Sequence, residues 1–432
     1  MRTFLFTVCL AALATAHGGA QAQAPSNAVA LPAANPATQG FSGQRLQRLH
    51  QFTEALTKGG GYLGAVTLVA RNGRVVDVHA YGWRDLAKTS PMAVDSIFRM
   101  YSMTKTVATV AALQLMEEGQ LSLDDPVSKF LPEFGQIQVM AGGTADAPQL
   151  RAPKRPVTVR HLLTHTAGFA TGSAQGNDEA VKRFNRFDLH QSASLEDYAA
   201  YVARQPLARD PGERFVYDGV GLEVLARLLE VASGQPFDLL LQKRVLQPLG
   251  MADTAFSVLP AKRGRIVDMV TTNAQGQLVL ADTRDARQPG EQLNPYPSAA
   301  GGLYSTGQDY LRFCQMLLNG GTLDGASILG RKTVALMMQN HLAGVDLPSG
   351  QLRDGYGFGL GGYMALDVAR YGGLGSVGQF GWSGAGSTYY TVDPQEKLIA
   401  LLLMQHLPQG LPQDPPKVSL KFYNLVYQAL VP

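Results

Sequence analysis

Ser102 and Lys105 stand three residues apart at the head of a long apolar run. On a helix this spacing puts a hydroxyl and an amine on one face, within hydrogen-bond reach of each other. A serine hydroxyl scarcely ionises at neutral pH, so it becomes a nucleophile only when a neighbouring base takes its proton. An amine in apolar surroundings can be that base, because burial disfavours the ammonium form. The stretch VATVAALQLM at 107–116 is apolar on nearly every side, as a helix inside a large core must be. Lys105 is then one turn into a buried helix, where a lysine needs a partner or a function. A lysine that only ties down a helix start is the alternative. Gly119, after Glu117 and Glu118, is the expected left-handed stop.

Two more segments carry chemistry. Tyr217, in GERFVYDGVGLEVLARLLE, lies just ahead of an amphipathic helix. A phenol facing a cleft beside a lysine can act as general base and proton relay; a core tyrosine over the helix start is the competing assignment. The glycine-rich run GQFGWSGAGSTYY at 378–390 reads as a strand edge, where glycines mark a bulge or a close approach by a ligand. Acyl transfer needs backbone N–H groups aimed at the developing oxyanion; that edge supplies one and the helix start at Ser102 another. Gly381-Trp382-Ser383-Gly384-Ala385 misses the Gly-x-Ser-x-Gly elbow at its last position, and no complete elbow occurs, so an α/β-hydrolase loses its main support. His161 and His165 are four apart, but no acid or cysteine nearby in sequence completes a metal set, and a structural role is expected.

The elements that must position these residues fall into two groups. Leu46, Leu49, Phe52 and Leu56 have helical spacing, and the runs AVTLVA at 65–70 and RVVDVHAYG at 74–82 flank Asn72-Gly73, a strong hairpin signal. The far end mirrors this, with strands at 387–392 and 398–405 around Asp393-Pro394-Gln395 and a helix over 418–430 with Phe422, Leu425, Val426 and Ala429 inward. Between them, 135–156 reads as a Gly/Ala/Pro-rich loop near a site, followed by helices at 159–163, 195–204 and 222–233. The fold class is therefore α/β (α+β): an antiparallel sheet with terminal helices, built from about 42–115 and 295–432, carrying a mostly helical lobe at about 116–294. A cleft between the lobes is the natural pocket.

Residues 1–24 read as an export signal, with Arg2 first, an apolar stretch at 4–16, and Ala20-Gln21-Ala22 or Ala22-Gln23-Ala24 as the cleavage site. The mature chain is expected to be secreted or periplasmic, with 25–41 a flexible lead-in. Cys9 leaves with the signal, so Cys314 has no partner for an internal disulfide and reads as a core thiol. Hydrophobic content of 45%, 16% charge and a net charge of +3 with scattered Lys and Arg describe a large globular core without a nucleic-acid surface. No later run reaches the roughly 20 apolar residues of a membrane helix.

IFRMYSMTK, EEGQLSLDDPVSKFLPEF, VTVRHLLTHTAGF, PGERFVYDGVGLEVLARLLE and the WSGAG segment, in this order, resemble the penicillin-binding-type serine hydrolases. Within them the chain is most similar to the class C β-lactamase-like family VIII carboxylesterases, over about 46–430. The resemblance implies Ser102 as acylated nucleophile, Lys105 as its base and Tyr217 as the proton shuttle. It also implies an oxyanion hole from the N–H groups of Ser102 and Ala385, and substrate contacts at Trp382, Ser383, Gly384 and Gly219. Two departures matter. The family's Tyr-x-Asn is here Tyr217-Asp218-Gly219, and its Lys-Thr-Gly is here Trp382-Ser383-Gly384. Exchanging an amide and a cation for a glycine and an aromatic weakens the grip on an anionic, amide-bearing ligand and favours neutral esters. The expectation is an exported esterase acting on short-chain or small-alcohol esters, without metal or cofactor. The alternatives are a β-lactamase or D-amino-acid peptidase using the same residues, and an inactive binding protein on this fold.

Overall fold

A computed structural model describes residues 30–171 and 179–432. The export signal expected at 1–24 lies outside the described residues. Seven antiparallel strands form the main sheet, in the order Tyr356–Phe358, Tyr363–Ala365, Phe380–Gly384, Thr388–Asp393, Leu398–Leu403, Gly64–Arg71, Arg74–Gly82. The sheet thus joins two segments far apart in sequence through the pairing of Val66 with Leu403 and Arg71 with Leu398. The hairpin turns at Asn72 and Gly73, whose φ of 53° and 74° are the two positive values a tight primed turn requires.

Leu398–Leu403 reads LIALLL without alternation because both its faces are covered. Leu398, Ala400 and Leu402 pack with Leu46, Leu49, Phe422 and Val426 from the terminal helices Gly43–Lys58 and Ser419–Tyr427. Ile399, Leu401 and Leu403 point the other way, into the core shared with Val107, Val110, Phe313 and Cys314. The two described ends meet: Ser42 N–H donates to the Ala429 carbonyl at 2.8 Å and Val431 N–H to the Gly40 carbonyl at 2.9 Å.

Three expectations need correction. Within the lead-in at 25–41, residues 30–41 form a strap, not a flexible tail: Val75 N–H donates to Pro32 O and Ala34 N–H to Val75 O, each at 2.9 Å, so the strap satisfies the edge of the outer strand. Phe41 at its end is buried. The stretch 135–156 contains a hairpin, Val139–Gly143 with Pro148–Arg151, whose Val139 bridges Leu207, and none of its residues lines the cleft. The turn works because Gly143 has φ 84°, where an added Cβ would meet the Ala147 carbonyl at 2.3 Å. The inserted lobe is helical through Val159–Leu163, Leu195–Ala203, Val220–Ser233 and Phe237–Leu241. Its last third instead returns to the sheet side, with Ala255 bridging Tyr304, Ile266 bridging Ile97 and Val270 bridging His406. Among the described residues no helix is long and apolar enough to cross a membrane.

Candidate functional site

The helix Thr104–Glu117 is buried along nearly its whole length, and a 3-10 turn, Tyr101–Met103, leads into it. Thr106 fastens it to the sheet through Gly361 O at 2.7 Å and Tyr390 Oη at 2.8 Å. Thr104 Oγ1 accepts from Leu303 N–H at 3.1 Å on the opposite flank. The residue before Ser102 carries backbone strain: Tyr101 has φ 44°, a left-handed conformation that bulky side chains avoid. Its hydroxyl donates to Asp285, which also pairs with the buried Arg99 guanidinium at 2.8 Å, so tertiary contacts hold the strained turn in place.

Lys105 Nζ lies 3.3 Å from Ser102 Oγ and donates to the Ala300 carbonyl at 2.7 Å. It also lies over the Tyr217 ring, 5.1 Å from the centroid. The three residues singled out in sequence therefore converge. Lys105 is only 3% exposed, so its orientation is fixed by packing. The Ala300 carbonyl is held in turn by Glu223, which accepts from the Ser298 hydroxyl and from Ala299 N–H at 2.9 Å. Burial pushes the Glu223 carboxyl up to about 7, although those hydrogen bonds and the nearby Lys105 pull it down.

Tyr217 is gripped from three sides. Trp382 Nε1–H donates to its hydroxyl at 3.1 Å, the two rings lying 5.0 Å apart. Gln351 accepts from its backbone N–H at 3.1 Å. His165 packs behind it, ring centroids 4.6 Å apart, in an aromatic box with Phe215 and Phe358. Burial, with Lys105 nearby, holds the His165 pKa below its ordinary value. Its Nδ1 accepts from the Asp218 N–H at 3.4 Å. The buried Asp218 carboxylate accepts from Gly221 N–H at 3.1 Å and from the Thr171 hydroxyl at 2.8 Å. The two histidines thus have different tasks: His161 Nδ1 accepts from Thr158 N–H at 3.1 Å and caps its own helix, whereas His165 backs Tyr217.

The strand Phe380–Gly384 brings the glycine-rich segment against the turn at Ser102. A Cβ on Gly384 would meet the Met100 carbonyl at 2.3 Å, so only glycine allows this approach. Ser102, Tyr217, Trp382, Ser383, Gly384 and Ala385 all line one cavity of about 720 Å³. Tyr356, Tyr363, Tyr389 and Tyr423 add aromatic walls, and Arg353 and Lys417 supply exposed cations. Gly219 does not line it; it is the N-cap of Val220–Ser233, and its Cβ direction faces Ala300 Cβ at 3.2 Å. Sequence reading missed Ala300, Glu223 and Gln351. None belongs to a local pattern with Ser102 or Tyr217, and the buried glutamate in an apolar helix was the one available signal.

A family model described as Beta-lactamase matches residues 49–420. A Mycobacterium tuberculosis protein is 33% identical over 353 residues, 80% of this chain and 86% of its own. Esterase EstB of Burkholderia gladioli is 29% identical over 371 residues, 81% of this chain and 87% of its own. Among solved structures, EstCE1, described as a hydrolase with promiscuous acyltransferase activity, superposes with a TM-score of 0.72 at 26% identity, covering 89% of this chain and 99% of its own.

Proposed function

The chain belongs to the β-lactamase family and is a serine hydrolase with ester-hydrolysing activity, and from that premise we propose that it is an exported carboxylesterase working through an acyl-enzyme on Ser102. The observation that carries this reading is the Lys105 amine 3.3 Å from the Ser102 hydroxyl at a cavity walled by aromatic rings. In the acylation step Ser102 Oγ attacks the ester carbonyl and its proton passes to Lys105. The N–H groups of Ser102 and Ala385 receive the oxyanion. As the C–O bond breaks, Tyr217 Oη delivers the proton to the departing alcohol and recovers one through Lys105. Water then repeats the sequence in reverse and frees the acid. An alcohol in place of water would give acyl transfer.

Trp382, Ser383 and Gly384 line the substrate's side of the cavity, where a neutral acyl or small alcohol meets an aromatic face rather than a cation. Among the described lining residues, the cations available to a cephalosporin carboxylate are Arg353 and Lys417. Gly219 acts indirectly, leaving room beside Ala300. No metal or cofactor takes part in this scheme. The hydrolase unit, with the strap at 30–41 as part of it, spans about 30–432 and follows an export signal.

The test uses Ser102→Ala and a fluorophosphonate. The variant should retain the fold and lose at least 99% of its activity on p-nitrophenyl butyrate, since about 10³-fold or more is typical when a nucleophile is removed. In the wild type the fluorophosphonate adduct should map to Ser102. An adduct elsewhere, or a variant that remains active, overturns the assignment, and a wild type that prefers nitrocefin to the ester overturns the substrate class.

A further inference from the structure

A second cluster of reactive side chains lies on the outer edge of the sheet, and none of its members lines the cleft. Asp77 and His79, two residues apart on the strand Arg74–Gly82, point to the same face. The helix Gly43–Lys58 covers that face and adds His50. His50 Nε2 is 2.7 Å from Asp77 Oδ1, and His79 Nε2 is 3.4 Å from the same oxygen. Ligand atoms from the three side chains all lie within 4.8 Å of one another. The imidazole rings stand 4.1 Å apart at 53°, so they converge on the carboxylate without stacking.

A plain His–Asp hydrogen bond does not account for the cluster. The Asp77 side chain is 5% exposed, yet its Oδ2 is buried without a hydrogen-bond partner. An unpaired oxygen on a buried carboxylate is costly. The Asp77 carboxylate thus has accepting capacity that the protein's own groups do not fill.

We infer that His50, Asp77 and His79 form a site for a divalent transition-metal ion such as Zn²⁺, with the fourth position open to solvent beside the half-exposed His79. Two imidazoles and a carboxylate suit zinc, cobalt or nickel rather than calcium or magnesium, which prefer oxygen ligands. Tetrahedral zinc with bonds of about 2.0–2.1 Å sets its ligand atoms roughly 3.3 Å apart. The His79–Asp77 separation already matches. The ion replaces the shorter His50–Asp77 hydrogen bond: His50 withdraws from the carboxylate by roughly half an ångström, and the imidazole nitrogens, now within 4.8 Å of each other, close to about 3.3 Å. Because this site ties the first helix to the edge strand, its occupancy should stabilise the fold.

The experiment uses the mature protein without a polyhistidine tag, stripped with chelator and titrated calorimetrically with ZnCl₂ and, separately, CoCl₂. The expected result is one equivalent bound, a rise in Tm with zinc, and a visible cobalt absorption typical of low coordination number. His79→Ala, which removes the most exposed ligand, and Asp77→Asn, which keeps the shape, should each weaken binding about tenfold or more, while hydrolysis of p-nitrophenyl butyrate in both confirms folding. A wild type that takes up neither ion overturns the inference. So does an isotherm that persists unchanged in both variants.

Discussion

At the scale of single residues the site works by mutual support. Lys105 reaches Ser102, Ala300 O and the Tyr217 ring together, so removing any one partner frees it to move. Groups that act as a unit lose activity non-additively. The double variant Lys105→Ala/Tyr217→Phe should therefore be hardly worse in kcat/KM than the poorer single; fully additive losses would mean two independent roles. Trp382 has a task the sequence did not announce: besides lining the cavity, its indole N–H donates to Tyr217 Oη at 3.1 Å. Trp382→Phe keeps an aromatic wall and deletes only that donor. A hydrogen bond is worth about 0.5–1.5 kcal/mol net, so kcat should fall about three- to tenfold with KM little changed. A rise in KM at constant kcat would instead assign the indole to substrate binding.

At the scale of elements, what could be read in advance was what neighbours in sequence decide. Ser102 and Lys105 share a helix face, Asn72-Gly73 turns a hairpin, and Gly119 ends its helix with φ 71°. Contacts between distant segments were not legible, because nothing in the run around Ser298 says that Glu223 will hold it or that its Ala300 carbonyl will meet Lys105. The strap at 30–41 was misread for the same reason: its composition is that of a linker, and it is fixed only by an edge strand that sequence does not place beside it. Gly384 shows both sides. A glycine in a strand predicted a close approach, but only the fold reveals the Met100 carbonyl on the other side, at the turn that presents Ser102. Gly384→Ala should push the strand and the Ala385 amide away from Ser102. A misplacement approaching 1 Å costs about 100-fold in rate, so kcat should drop by that order while circular dichroism stays unchanged. Full activity would show that the oxyanion site tolerates the displacement.

At the scale of the whole molecule, buried titratable groups pull stability in opposite directions as pH changes. Burial lowers the pKa of His161 to about 4 and also depresses His165, His341 and His406, so their contributions are lost as pH falls below the ordinary histidine value. Burial raises Glu223 to about 7 and Asp309 to about 6, with the opposite sign. For Glu223 the folded carboxyl holds its proton more tightly than the unfolded one, so its contribution is complete below about 4.5 and disappears as pH rises through about 7. Glu223→Gln removes that dependence and keeps a hydrogen-bonding side chain, since Ser298 can turn its hydroxyl to accept from the new amide. Acidification from pH 8 to pH 5 should therefore favour the wild type over the variant by about 2–3 kcal/mol, read as the difference between their urea-unfolding free energies at the two pH values. The variant should also show the steeper net loss in acid, because the histidines are then less opposed. A difference that does not move with pH would mean that Glu223 is ionised throughout this range in the folded protein, its cost of burial met by Lys105 and the Ser298–Ala299 hydrogen bonds.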